Sequence, residues 1–218
     1  VQIEHRTPPG QPGDLDDLES LILVLPPGED WPTFPYADVL RQRLQTRRRQ
    51  PGEEPVQTSL PNELGTTVTV FRAPSEATPF QWLSLARQAA APHLKTDPVN
   101  IGVYSPPADA DYTRAAHEAL VAAILAGSHK LPVAKSKQAC PSRLEQIRLL
   151  DPPEDLDLTV TRAAAHGNDL ARDLTHLPAN RLTPALYRER IAELAEHNGW
   201  GLEFLDVQRL TAEKAGAF

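Results

Sequence analysis

Short apolar runs recur through the first 150 residues. Residues 21–25 are five apolar residues in a row, closed by two prolines and a glycine, which is typical of a strand buried on both faces. Residues 66–71 are rich in β-branched side chains and residues 99–104 are largely apolar, so both predict strands. Weaker patterns predict three further strands, over residues 1–4, 56–60 and 144–150.

Amphipathic stretches separate these strands. They predict helices over residues 36–49, 78–94, 109–127, 154–177, 183–198 and 208–215. The second helix is expected to bury Phe80, Leu83 and Ala90, with Trp82 packed as an ordinary amphipathic tryptophan and not as a ligand platform. Gly127 is the expected C-cap of the third helix. The alternation of strands and helices predicts an α/β layered domain that ends at residues 151–153.

The region after residue 168 has its own organisation. Pro178 stops the preceding helix, since proline has no N–H and clashes with the turn before it. Thr183 then serves as N-cap and Pro184 as the first residue of a helix that Gly199 ends. The buried face of that helix is expected to carry Tyr187, Ile191 and Leu194, and a strand is expected over residues 202–207.

This region also resembles a known family. The segment 173–184 is similar to the "D-L-x-N-x-P-x-N-x-L-T-P" junction of the leucyl aminopeptidase (cytosol aminopeptidase) metallopeptidases. The matching positions are Asp173, Leu174, Pro178, Asn180, Leu182, Thr183 and Pro184. His176 stands where the family more often has asparagine, and residues 201–218 are similar to the strand and helix that follow the junction. Residues 1–150 match only in their general pattern.

The resemblance implies a domain organisation. Residues 1–153 would form an N-terminal α/β domain, similar to a macro domain, with a mostly parallel or mixed sheet flanked by helices. Residues 154–182 would be a linker helix and elbow, and residues 183–218 the truncated start of the C-terminal catalytic domain. No position of this sequence matches the family's metal-binding or catalytic residues, so we expect no catalytic, cofactor-binding or metal-binding residue in residues 1–218.

The resemblance also implies a function for a longer parent protein. The parent would be a homohexameric aminopeptidase that removes N-terminal residues from peptides with two divalent ions, zinc or manganese. The present segment would serve assembly and access to the active site. An incomplete catalytic domain cannot bury both faces of its elements, so residues 183–218 are expected to expose a large apolar patch.

Composition sets limits on other functions. The chain has 218 residues, a net charge of −7, 40% hydrophobic and 23% charged residues, as in soluble globular proteins. Residues 1–150 carry 15 basic and 17 acidic groups, and no apolar run approaches the ~20 residues of a membrane span. No signal peptide is visible, and the absence of any methionine indicates that the natural start is missing. The single cysteine, Cys140, excludes an internal disulfide and fits a cytoplasmic protein.

Candidate chemistry is sparse. The seven histidines are at positions 5, 93, 117, 129, 166, 176 and 197, and none has a partner at metal-site spacing, so surface or supporting roles are expected for all. The start of a zinc helix at His117 fails because Val121 replaces the second histidine. No nucleotide-binding glycine motif and no nucleophile elbow are present.

Two alternative functions remain open at this stage. One is a binding module, possibly for DNA, that uses the Arg41–Arg49 helix, with Arg43, Arg47 and Arg48, together with the lysines of loop 130–137. Arginines at a helix end are also explained by the helix dipole, and the near-neutral charge of residues 1–150 opposes nucleic-acid binding. The other is a self-sufficient hydrolase, which the lack of any catalytic constellation disfavours.

Overall fold

The structure, a computed structural model, describes residues 1–28, 31–46, 54–106, 109–131 and 142–216. The chain divides into two compact units, Val1–Arg172 and Asp173–Phe218. The first unit contains a sheet with helices on both of its faces. The second contains helices only among its described residues.

The sheet of the first unit has six described strands. They are β1 (Gln2–Arg6), β2 (Ser20–Leu25), β3 (Val56–Ser59), β4 (Thr67–Arg72), β5 (Asn100–Tyr104) and β6 (Gln146–Leu150). Their spatial order is β1-β6-β5-β2-β4-β3, and every neighbouring pair is parallel except β3 and β4. Each strand overlaps one of those predicted, and the predicted mostly parallel α/β fold is confirmed.

Six α-helices accompany these strands in the described residues. They are α1 (Ala37–Thr46), α2 (Pro79–Thr96), α3 (Ala110–Ser128), α4 (Thr159–His176), α5 (Pro184–Asn198) and α6 (Val207–Ala212). Helix α1 is shorter than the predicted 36–49 at its start, because Tyr36 has a positive φ of 66° and lies before the helix. Its predicted final residues, 47–49, lie outside the described residues.

Strand β2 separates two layers of core. Ile22 and Val24 point to one face, where they join a cluster that includes α2, α3 and the start of the segment before α4. Leu21, Leu23 and Leu25 point to the other face and pack with α1. All six residues of β2 are buried, as a strand with a helical layer on both faces requires. The first unit is therefore a three-layer α/β/α domain.

The buried face of α2 differs from the prediction. Phe80 is 79% exposed and Leu83 is 47% exposed, whereas Trp82 is buried together with Ala86 and Ala89. Ala90 is buried as predicted. Small residues are buried because α2 packs closely on α3, whose Ala116 and Ala119 belong to the same cluster. The prediction was therefore wrong for Phe80 and Leu83 and right for Ala90.

Two glycines mark places of close approach. Gly127 is not the C-cap of α3 but lies inside it, and a Cβ there would be 2.4 Å from Cδ1 of Leu94 on α2. Gly102 of β5 would place a Cβ 2.6 Å from Cδ1 of Leu18, which is fully buried. At both positions a leucine side chain occupies the space that a side chain on the glycine would need.

The second unit has little interior of its own. Helix α5 begins and ends as predicted: Leu186 N–H donates to the Thr183 hydroxyl at 3.3 Å, and Gly199 has a φ of 67°. The strand predicted over residues 202–207 was wrong. Residues 201–206 have no strand partner among the described residues, and residue 207 begins α6 after the N-cap Asp206. Alternating apolar residues form a strand only where a neighbouring strand accepts their backbone hydrogen bonds.

Candidate functional site

A cleft of about 440 Å³ lies in the first unit, among the helices that cover one face of the sheet. Helices α2 and α3 and the first turn of α4 form its walls. The lining includes Pro79, Trp82 and Leu83 from α2, and Asp111, Tyr112 and Glu118 from α3, with Asp109 just before α3. Ligand sites are typically concave, with apolar and aromatic side chains and a few polar groups, which makes this cleft the candidate site.

Tyr112 fixes the base of the cleft. Its hydroxyl donates to the carbonyl of Leu25 at 2.8 Å and accepts from the N–H of Ala73 at 3.1 Å, so it joins the ends of β2 and β4. Burial raises the pKa of this phenol, which therefore remains protonated and able to donate at neutral pH. The ring of Trp82 packs edge-to-face on Tyr112, with 4.9 Å between the centroids. These contacts hold two aromatic rings in fixed positions.

Local caps place the lining residues of both helices. At α2, Gln81 N–H donates to the Thr78 hydroxyl at 3.3 Å, and the Gln81 side chain accepts from Thr78 N–H at 2.8 Å. At α3, Oδ1 of Asp109 accepts from the N–H groups of Asp111 and Tyr112, at 3.0 and 3.2 Å. The sequence thus defines both helix starts, and with them the direction in which Trp82 and Tyr112 point.

An ion pair connects α3 to the segment that precedes α4. Nη2 of Arg114 lies 2.7 Å from Oδ2 of Asp155. The Arg114 guanidinium lowers the pKa of the Asp155 carboxyl. Leu156 and Leu158 follow and are buried in the core cluster of α2 and α3. The start of α4, which contributes Thr161 to the cleft, is therefore anchored next to α3.

The arginines proposed for nucleic-acid binding do not form a described cluster. The Arg43 guanidinium donates to the carbonyl and the hydroxyl of Ser59, so it joins α1 to the end of β3. Arg47, Arg48 and Arg49 lie outside the described residues, as do Lys135, Lys137 and Cys140. Of the proposed basic contacts, Arg41 and Lys130 are described and exposed, and Lys130 lies 3.7 Å from Asp97.

Two of the seven histidines for which surface or supporting roles were expected lie in the interior and not on the surface. His93 and His117 are fully buried. Nε2 of His93 lies 2.7 Å from the Thr69 hydroxyl, and burial lowers the pKa of His93 to about 4. Nδ1 of His117 lies 2.8 Å from the carbonyl of Thr113, and burial lowers its pKa too. Both rings are neutral core residues at physiological pH.

Within the described ranges, no three His, Cys, Asp or Glu side chains come together in a way that could hold a metal ion. In the same ranges, no helix combines the length and the apolar character that crossing a bilayer requires.

The sequence analysis missed Tyr112 and the role of Asp109. A signal was available for both. Tyr112 begins a row at intervals of four residues with Ala116, Leu120 and Ile124, all of which are buried. Asp109 is an acidic residue immediately before a helical pattern, which is typical of an N-cap.

The chain is similar in sequence and in fold to several known proteins. No protein-family model matches the chain. A probable cytosol aminopeptidase from Syntrophobacter fumaroxidans is 33% identical over 107 residues, which is 46% of this chain and 21% of the relative. A mutant form of tomato leucine aminopeptidase superposes on 98% of this chain with a TM-score of 0.72 and 18% identity.

A second solved structure, the bottromycin maturation enzyme BotP, matches 84% of this chain with a TM-score of 0.57 and 20% identity. BotP in complex with Mn matches 83% with a TM-score of 0.55. The chain spans 46% of the tomato enzyme and 38% of BotP. These matches show that the chain is an α/β protein with the fold of an aminopeptidase N-terminal domain. The resemblance to the N-terminal part of the leucyl aminopeptidase family, predicted from residues 173–184, is confirmed.

Proposed function

We propose that the chain is the non-catalytic N-terminal part of a leucyl-aminopeptidase-like dinuclear metallopeptidase, which removes N-terminal amino acids from peptides. In this proposal residues 1–153 are the N-terminal domain, residues 154–182 the linker helix and elbow, and residues 183–218 the first elements of the catalytic domain. The part present here serves assembly and access to the active site.

The observation that carries the proposal is the apolar surface of the second unit. Seven large apolar side chains there are between 40% and 78% exposed: Leu186, Tyr187, Trp200, Leu202, Phe204, Leu205 and Val207. The only described side chain buried there is the small Ala195. Soluble proteins rarely expose such a dense apolar set unless another surface covers it. These exposed side chains agree with the predicted apolar surface and support the proposal that the domain continues in a longer protein.

Segment 201–206 supports the same conclusion. The Arg188 guanidinium lies over the Phe204 ring at 4.8 Å, and Nη2 of Arg209 lies 2.6 Å from Glu203. These contacts involve side chains only, and the described backbone of the segment has no strand partner. An apolar segment without a strand partner is suited to join a sheet supplied by the rest of a longer protein.

The remaining features of the proposal come from the relatives. The name of the bacterial relative places it in the cytosol, and the BotP complex contains Mn. By analogy, the longer protein would be cytosolic and would bind two divalent ions, zinc or manganese, outside residues 1–218. It would form a homohexamer, and this chain's immediate partner would be its own catalytic domain.

Hydrolysis of a leucine anilide tests the catalytic part of the proposal. The 218-residue chain and a longer product of the same gene are compared with added manganese. We expect turnover only with the longer product, because the ligands of the metal ions lie beyond residue 218. Manganese-dependent turnover by the 218-residue chain would contradict the proposal, and so would a longer product that contains no metal-binding residues.

Reconstitution from two pieces tests the role of the apolar surface. We expect the 218-residue chain to bind a separately produced polypeptide that carries the residues following 218. Phe204→Asp is expected to weaken this binding at least about tenfold, since it places a charge in an apolar interface. Phe80→Asp is the matched control, because Phe80 is 79% exposed but belongs to the first unit. If both variants weaken binding of the polypeptide equally, the apolar surface of the second unit is not the binding surface.

A further inference from the structure

The cleft between α2 and α3 combines an apolar floor with a negative rim. Its floor consists of Pro79, Trp82 and Leu83 together with the ring of Tyr112. Leu83 is 47% exposed although it lines a concave surface. A volume of about 440 Å³ is within the range of roughly 300–1,000 Å³ that ligand sites occupy.

Exposed apolar side chains continue next to the lining. Phe80 follows the lining residue Pro79 in the chain, and Val160 precedes the lining residue Thr161. Each is 79% exposed. Of the five large apolar side chains that are exposed in the described part of the first unit, Phe80, Leu83 and Val160 lie in or beside this cleft, whereas Val1 and Leu64 lie elsewhere.

The charge of the lining has one sign. Asp109, Asp111 and Glu118 contribute carboxylates, and no lysine, arginine or histidine occurs among the described lining residues. The nearby Arg114 guanidinium is paired with Asp155 at 2.7 Å and also interacts with Glu118 and Asp111, so four carboxylates share one cation and the lining keeps a net negative charge. In the helix cap only Oδ1 of Asp109 accepts hydrogen bonds, so Oδ2 can still accept one from a ligand.

We propose that this cleft binds a peptide segment that presents one large apolar side chain beside a positive charge. The apolar side chain packs on Trp82 and Leu83, and the cation faces Asp111 and Glu118. Charge complementarity selects this occupant: an acidic peptide would be repelled by the net negative charge of the lining, and a neutral apolar peptide would gain no electrostatic attraction. This inference is independent of the proposed aminopeptidase function.

The test uses blocked dipeptides, which a contaminating aminopeptidase cannot degrade. Binding of acetyl-Phe-Arg-amide to the 218-residue chain is followed by amide chemical shifts and by calorimetry. We expect shifts confined to residues 75–83 and 109–122, and weaker binding of acetyl-Ala-Arg-amide and acetyl-Phe-Glu-amide. Raising the salt from about 50 to about 500 mM should weaken binding of the first peptide severalfold, because exposed charges are screened.

Matched variants separate the cleft from the general surface. Glu118→Gln is expected to weaken binding about three- to fivefold, and Leu83→Ser by a similar factor. Glu63→Gln and Leu64→Ser change an exposed glutamate and an exposed leucine in the β3–β4 turn, and should leave the affinity unchanged. Circular dichroism checks that each variant is folded.

Four results would overturn the proposal. The first is equal binding of the arginine and glutamate peptides, and the second is equal loss of affinity in the cleft and control variants. The third is self-association of the chain that Glu118→Gln abolishes, because a second copy would then be the occupant. Absence of any shift at millimolar peptide would likewise reject a peptide site here.

Discussion

Individual glycines show how tightly the first unit is packed. Gly102 lies in the middle of the sheet, where Leu18 occupies the space that its side chain would need. Gly167 lies on α4 with nothing within 4 Å of the position of a Cβ. The same substitution should therefore have opposite effects at these two residues.

We predict that Gly102→Ala lowers the free energy of unfolding by about 1–3 kcal/mol, because Leu18 is buried and cannot move aside freely. Gly167→Ala should raise the helical stability of α4 by about 0.5–1 kcal/mol, since alanine restricts the unfolded chain and favours a helix. Urea denaturation measures both changes. Loss of stability in both variants would show that packing at Gly102 is not the cause.

The buried His93 predicts a pH dependence of stability. Its pKa is about 4 in the folded chain because of burial, against about 6.5 in an unfolded chain. Above pH 6.5 both states are neutral, so His93 adds no slope. As the pH falls from 6.5 to 4 the unfolded state binds the proton first, and stability should fall by roughly 3 kcal/mol. His117 acts in the same direction.

The measurement is urea denaturation at pH 7.5 and pH 4.5. His93→Gln should show a smaller difference between the two pH values than the unmodified chain, because glutamine does not titrate. His166→Gln replaces an exposed histidine on α4 and is the control. A pH difference that His93→Gln leaves unchanged would assign the acid sensitivity to other groups.

At the scale of elements, the Tyr112 hydroxyl is the tie between the ends of β2 and β4. Tyr112→Phe should lower stability by about 1–3 kcal/mol, since it leaves the buried Leu25 carbonyl and the buried Ala73 N–H without this partner. Tyr36→Phe should change stability by less than about 0.5 kcal/mol, because the hydroxyl of Tyr36 bonds the exposed Asp16. Thermal unfolding of both variants compares them directly.

Most elements of the first unit could be predicted from the sequence, whereas some of its packing could not. All six strands were found because apolar runs and β-branched residues mark the buried middle layer. The face of α2 was misjudged, since whether Phe80 or Ala86 is buried depends on how closely α3 approaches. The strand over residues 202–207 was wrong because pairing needs a neighbour, which a local pattern cannot supply.

The candidate site was less predictable than the fold. Residues of α2, α3 and α4 form the cleft. These helices come together because the strands that separate them in the sequence pair within one sheet. Its helix caps, Thr78 and Asp109, stand at predicted helix starts, but nothing local indicates that Trp82 and Tyr112 meet edge-to-face. The family resemblance, in contrast, was readable because it rests on a continuous motif in residues 173–184.

At the scale of the whole molecule, the two units differ in how much they bury. The first has two clusters of fully buried side chains, and the second has Ala195 alone among its described residues. Stability of a helix in water depends mainly on packing of its apolar face. The second unit should therefore open far more readily than the first.

Native-state hydrogen exchange measures this difference. Amides of α5 and α6 should exchange at least about a hundredfold faster than those of β2 and β5, because local opening there exposes little additional apolar surface. Phe204→Ser should leave the protection of β2 and β5 unchanged. Equal protection in both units would mean that the apolar surface of the second unit is covered, for instance by a second copy of the chain.

The place of β1 in the sheet governs the order in which the chain can fold during its synthesis. Gln2 of β1 pairs with Gln146 of β6, so β1 precedes the other described strands in the chain while its partner is the last of them. Strands β2 and β4 can pair as soon as residue 72 has emerged, and β5 can add to β2 some thirty residues later. Strand β1 cannot form its pair until β6 has been translated. Completion of the sheet is therefore a late event that depends on a contact of long sequence separation.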